Sequence, residues 1–191
     1  MNIGIDIDDT IMDTLDHLMP YLAEYFDANL EDLKKQNISY INLPDEWKPH
    51  ILSFCKKYFD SVIPTTPIKP NAAECIRKIK ELGHSIYIIT ARDTRLYTDP
   101  YKTTFEQLTA NGVYFDKLIC TYEKAQACAK EGIGLMIDDS IANCESIQAV
   151  GIPTLLFSGK GNSHILTPLQ RVNHWTEIYD LINSEKSASI F

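Results

Sequence analysis

Residues Asn2-Ile3-Gly4-Ile5-Asp6-Ile7-Asp8-Asp9-Thr10 decide how this chain is read: a short apolar run passes directly into three carboxylates within four positions. A strand buried on both faces reads as such an apolar run, and strands of that kind belong to parallel sheets flanked by helices. Asp6 and Asp8 are two residues apart, so both project to one side from the strand's carboxyl end. Like charges this close repel unless a cation sits among them, and oxygen ligands at that density suit Mg²⁺. A turn with a helix cap uses the same residue types, so the stretch alone leaves both readings open.

The 191 residues suffice for one sizeable core carrying a smaller insert. A net charge of −8, with no run of Lys or Arg, argues against binding a nucleic-acid duplex through its phosphates. A few local donors could still hold a small anion. The five cysteines (Cys55, Cys75, Cys120, Cys128 and Cys144) form no Cys-x-x-Cys pair and read as reduced thiols, which disfavours zinc. No basic leader precedes the first strand and no apolar run approaches the ~18 residues of a membrane span, so a cytoplasmic protein is expected. The sequence is compatible with a homodimer.

Beyond the acidic loop, Leu15, Leu18, Met19, Leu22 and Phe26 recur at helical spacing, with Pro20 demanding a kink or a break. From about residue 29 to residue 70 short helices alternate with Pro-containing turns; one places Leu52, Cys55 and Phe59 on a common face. A helix from Asn71 to Leu82 has Asn71 as its N-cap and Gly83 at its stop. Strands follow at His84 to Thr90, Lys117 to Cys120, Leu135 to Asp139 and Pro153 to Phe157. Helices are expected at Tyr101 to Asn111, Glu123 to Lys130, Ile141 to Val150 and Trp175 to Ile182. The alternation predicts a doubly wound α/β domain.

One interval is too long for that pattern. Between Asp6 and His84 lie 77 residues, whereas a plain β-α-β unit takes ~30. Residues 17–69 are therefore expected to form a helical cap over the acidic loop, with 1–16 and 70–184 as the core and 185–191 as a flexible tail.

Ligands of open α/β sheets bind outside the carboxyl ends of the strands, where the strand order reverses. If the first strand lies between the second and fourth, Asp6, Asp8, Thr90, Asp138 and Asp139 converge there. Asp138 would complete the cation site begun by Asp6. An anion's oxygens would fall to Thr90, to backbone amides at Ala91, Asp9 and Thr10, and to a lysine. Lys124, opening the helix after the third strand, is the best placed, with Lys117 as competitor. A carboxylate on a metal beside an anion pocket suggests phosphoryl transfer through an aspartyl phosphate, the second Asp moving the proton.

Four segments in order resemble the motifs of the haloacid dehalogenase-like phosphohydrolases: Asp6-Ile7-Asp8-Asp9-Thr10, Thr90 in Ile88-Ile89-Thr90-Ala91-Arg92, Lys124, and Ile137-Asp138-Asp139-Ser140. The resemblance implies a sheet order of three-two-one-four-five and a helical cap between the first and second motifs. It makes Asp6 the nucleophile, Asp8 the general acid/base and a metal ligand through its carbonyl, Asp138 an acidic ligand of Mg²⁺, and Asp139 a tuning group behind them. The cap, the Ile-Thr-Ala-Arg wording and the late Val172-Asn173-His174-Trp175-Thr176-Glu177-Ile178 are similar to the 5′(3′)-deoxyribonucleotidase group. That group usually carries Gly where Asp9 stands here.

The expected enzyme is a phosphatase of a small phosphate ester, with a mononucleotide favoured. A sugar-phosphate phosphatase, transfer to an alcohol instead of water, and a non-catalytic interaction protein are the alternatives. Arg92 reads as a surface charge and a weak ligand candidate. Tyr40, Trp47, Phe54, Tyr58 and Phe59 either fill the cap's own core or stack a base. The five histidines show no ligand spacing, and Ser158 to Thr167 reads as a flexible loop.

Overall fold

The computed structural model describes residues 1–36, 38 and 42–185. The expectations for Tyr40 and for nearly all of the 185–191 tail lie outside the described residues.

The first strand, β1 (Asn2–Ile5), is followed by helices α1 (Thr14–Tyr25), α2 (Leu30–Lys35) and α3 (Ile51–Val62), with 3-10 turns at Lys48–His50 and Ile63–Thr65. Then come α4 (Ala72–Glu81), β2 (Ser85–Thr90), α5 (Pro100–Ala110), β3 (Lys117–Cys120), α6 (Lys124–Lys130), β4 (Ile133–Asp138), α7 (Ile141–Gln148), β5 (Thr154–Phe157), β6 (Arg171–Val172) and α8 (Trp175–Glu185). The strands form one wholly parallel sheet in the order β3-β2-β1-β4-β5-β6. This is the expected doubly wound α/β order with a two-residue strand added at the edge.

Alternation along the strands divides the core into two layers. Ile3, Ile5, Ile86, Ile88 and Ile137 pack with Ile76 and Ile79 of α4 and Trp175, Ile178 and Ile182 of α8. On the other face Ile89, Ile133 and Met136 meet Cys128 of α6 and Ile147 of α7. Gly4 points into that second face, and a Cβ there would stand 2.6 Å from the Met136 sulfur, so a side chain at this position of the central strand would require Met136 to shift. β1 lies between β2 and β4, where the order reverses, and its carboxyl end opens the crevice in which the acidic loop sits.

Among the described residues between β1 and β2, the regular elements are all helical. They bury a cluster of their own, including Leu18, Leu22, Leu33, Trp47, Phe54, Tyr58 and Phe59. Leu52 is exposed, so the buried face of α3 is Phe54, Cys55, Tyr58, Phe59 and Val62 instead of the expected face through Leu52. Pro20 does not break α1: the carbonyl it leaves without an amide partner belongs to exposed Asp16, where water can reach it. Asn71 adopts a left-handed conformation (φ 64°) with no side-chain cap bond, and so does not play the N-cap role expected of it. Among the described residues no helix is long and apolar enough to cross a membrane.

Candidate active site

Ile7 closes the turn after β1, its carbonyl accepting from the amides of Thr10, Ile11 and Met12. Far along the chain, the indole Nε1 of Trp175 donates to the Thr10 carbonyl at 3.0 Å, which fixes the loop from the side of α8. Asp9 has φ 59°, a left-handed conformation that Gly adopts freely and that Asp tolerates better than most residues. Its Oδ1 accepts from the amide of Leu15 in the first turn of α1 at 2.9 Å. That geometry accounts for an Asp in a position where Gly is the easier choice.

Asp6 is buried, and its Oδ1 accepts from Lys124 Nζ at 2.6 Å. The same ammonium donates to Asp138 Oδ2 at 2.7 Å. Asp138 is wholly buried and also accepts from the amide of Ser140 at 2.8 Å and from Asn143 Nδ2 at 3.1 Å. Lys124, 4% exposed, thus lies between two carboxylates from neighbouring strands, whereas Lys117 is paired with Glu131. Burial works against the charge on Lys124, but Asp138 and Asp6 outweigh it and hold its pKa well above the usual lysine value.

The carboxylates divide by environment. Burial pushes Asp6 up to about 7, with Asp138 and Asp8 adding to the rise and Lys124 opposing it. Burial likewise raises Asp9 to about 7, and Asp139 is raised well above the usual value by burial and by the charges of Asp138, Asp6 and Asp9. Asp8 behaves oppositely: burial would raise it, but the Arg92 guanidinium prevails and holds it low. Oxygens of Asp6, Asp138 and Asp139 lie within 4.8 Å of one another. An all-oxygen set with two members driven toward protonation is what a hard divalent cation would relieve. The residues therefore fit Mg²⁺. The side chain of Asp8 is engaged by Arg92 and by Thr14 Oγ1.

Arg92 is the feature that sequence reasoning weighed too lightly. It is 2% exposed, and its charge is a buried partner of Asp8 instead of a surface group. Nothing at the level of spacing signals this, because 84 residues separate the pair.

A cavity of about 550 Å³ opens over these groups. Asp6, Asp8, Asp9, Ala91, Lys124 and Asp139 line it, whereas Thr10, Thr90 and Asp138 do not. The hydroxyls of Thr10 and Thr90 are buried without a hydrogen-bond partner. Leu15, Phe59 and Ile63 come to the wall from the inserted helices, and Leu96, Tyr97 and Tyr122 from the loops after β2 and β3. Of the aromatic residues named from the insert, Phe59 reaches the cavity, while Trp47, Phe54 and Tyr58 are buried in the insert's cluster. Gly159, Lys160, Gly161 and Asn162 also line it, and Asn162 fastens that loop by donating to the carbonyls of Asp139 and Phe157.

The model of the 5′ nucleotidase, deoxy (pyrimidine), cytosolic type C protein family matches residues 1–188. A protein of Chlorobaculum tepidum described as "Putative 5′(3′)-deoxyribonucleotidase" is 25% identical over 194 residues, covering 95% of this chain and 90% of its own. Among solved structures, a haloacid dehalogenase-like family hydrolase from Streptococcus pneumoniae superposes with a TM-score of 0.67 at 16% identity, over 94% of this chain and 97% of that one. The HAD-hydrolase YfnB from Bacillus subtilis, bound to magnesium, superposes with a TM-score of 0.64 at 17% identity, over 95% and 98%.

Proposed function

Since this chain belongs to the cytosolic type C 5′ nucleotidase family and is a hydrolase with the haloacid dehalogenase-like fold, we propose that it removes phosphate from nucleoside or deoxynucleoside monophosphates in a Mg²⁺-dependent reaction through Asp6. The observation that carries this reading is the placement of Lys124 Nζ between Asp6 and Asp138, with Asp8 facing the same cavity.

Asp6 attacks phosphorus, and the bond from phosphorus to the leaving alkoxide breaks as that oxygen takes a proton from Asp8, which has to be protonated against the pull of Arg92 for this step. Water then attacks the phosphorus of the aspartyl phosphate and gives its proton to Asp8. Inorganic phosphate leaves and the Asp6 carboxylate is restored. Lys124 neutralises charge on the non-bridging oxygens, and the unpartnered hydroxyl of Thr90 is available to donate to one of them. Amides at Asp9 and Ala91 would complete the phosphate contacts, whereas the Thr10 amide, expected to join them, is already taken by the Ile7 carbonyl. Asp6, Asp138 and the carbonyl of Asp8 would hold Mg²⁺, with Asp139 beside them; when bound, the ion neutralises the transferring phosphoryl group.

Residues 17–69 act in this reading as the cap over a core of 1–16 and 70–184. The cap's Phe59, with Tyr97 and Tyr122, offers the leaving nucleoside an aromatic wall, and stacking on such faces accepts any base. The family description supports a cytoplasmic setting. A panel of mononucleotides and sugar phosphates with Mg²⁺ tests the substrate. Preference for mononucleotides is expected, and a strong preference for sugar phosphates rejects the nucleotidase reading.

A further inference from the structure

Arg92 is among the largest fully buried side chains, and each of its three nitrogens has a partner. Nε and one terminal nitrogen grip the two oxygens of Asp8 at 3.0 and 2.8 Å. The other terminal nitrogen donates to Gln107 Oε1 at 2.7 Å and lies 3.4 Å from Thr104 Oγ1. Gln107 in turn donates through Nε2 to the main-chain carbonyl of Ile63 at 2.5 Å, where α3 passes into the 3-10 turn. A continuous chain of hydrogen bonds thus runs from the loop after β1, through the loop after β2 and α5, to the inserted helices.

Burying a guanidinium is costly, and an apolar side chain would fill the same volume at less expense. What the fork supplies is orientation, since two parallel bonds fix the plane of a carboxylate in a way that one point charge does not. Thr14 Oγ1 holds Asp8 Oδ1 from a third direction at 2.7 Å. Thr14, Asp8 and Arg92 all reach the cavity that Asp6 also lines.

We propose that Arg92, braced by Gln107 against the carbonyl of Ile63, is a positioning residue that orients the Asp8 carboxylate for proton transfer and ties that orientation to the seating of the inserted helices. The inference rests on the reading of Asp8 as the acid/base.

The test compares two esters on wild type, Arg92→Lys, Arg92→Met and Gln107→Leu. A mononucleotide leaves as an alkoxide that needs a proton, whereas p-nitrophenyl phosphate leaves as a stabilised phenolate that does not. Aligned proton transfer is worth roughly 10²–10⁴-fold. In the Arg92 variants kcat/KM for the mononucleotide is therefore expected to fall by about 10² or more, and for the aryl ester by less than about tenfold. The aryl ester should also show a burst of phenolate, because hydrolysis of the acyl phosphate needs Asp8 as a base. Gln107→Leu should shift both readouts in the same direction by less. The rise in Tm on adding Mg²⁺ should match wild type.

Equal losses on both esters, or no loss, overturn the inference, because a merely structural role lowers both alike. If the Arg92 variants do not fold, Gln107→Leu decides by the same criterion. An active wild type with symmetric losses sinks this inference alone. A wild type inactive on both esters overturns the proposed function and the inference with it.

Discussion

Lys124 Nζ stands 2.6 Å from Asp6 Oδ1 across 118 residues of sequence, a buried ion pair at the meeting point of β1 and α6. Breaking a buried pair from one side leaves its partner charged and dry, which costs about 3–5 kcal/mol. Lys124→Met should therefore lower the stability of the cation-free protein by about that amount, and by less with Mg²⁺ present. Its kcat should fall by roughly 10²–10³-fold, as expected when one preorganised charge contact to the transferring group is removed. Thermal unfolding with and without Mg²⁺, together with steady-state kinetics, checks both.

The raised carboxyls make a prediction about pH. Asp6 and Asp9 move from 3.8 to about 7, so between those values the folded protein holds more protons than the unfolded chain. Stability of the cation-free protein should then decline as pH rises through that window. Asp8 has the opposite sign, being held low, and its contribution is lost only on acidification below the ordinary Asp range. A cation on Asp6 removes the penalty, so Mg²⁺ should raise Tm more at pH 8 than at pH 5.5. Melting curves in chelator and in Mg²⁺ at the two pH values test this.

Asp9 combines a left-handed backbone with a bond to the Leu15 amide. Asp9→Ala meets the Cβ penalty of about 1–2 kcal/mol in that conformation and loses the cap bond as well. Asp9→Asn keeps the tolerance and the acceptor while removing a charge from a crowded site. At pH 8 the Asn variant should equal or exceed wild type in denaturant midpoint, with the Ala variant below both.

Tyr122 lines the cavity and has Arg95 stacked on its ring at 3.9 Å. If the ring meets a nucleobase, Tyr122→Ala should cost about 1–3 kcal/mol of stacking, roughly 5- to 150-fold in KM for a mononucleotide. Inhibition by inorganic phosphate should be unchanged, because Lys124 and the acidic loop are untouched.

What was legible in the sequence follows the range of the interactions involved. Strand β1 and its acidic end, the spacing from Lys124 to Asp138 and the alternation of strands with Gly-stopped helices are local patterns, and the sheet order followed from them together with the family resemblance. Arg92 was obscured because only the approach of α5 and the inserted helices turns an exposed-looking charge into a buried clamp. Trp175 reads as one apolar residue of an amphipathic helix, and its bond to Thr10 exists only once α8 is docked. The edge strand β6 is two residues long, too short for any periodicity to register. The polar composition of the loop after Ser158 suggested freedom, yet Asn162 ties it beside the cavity through bonds that no residue type announces.

The central claim is that Asp6 becomes phosphorylated. Wild-type protein quenched during turnover of a mononucleotide with Mg²⁺ and then reduced with borohydride should yield the N-terminal peptide with homoserine in place of Asp6, since an acyl phosphate is reduced and a free carboxylate is not. The Asp6→Asn variant should show neither the modified peptide nor turnover. Turnover by wild type with no modification at position 6, or retained turnover in Asp6→Asn, would contradict the account.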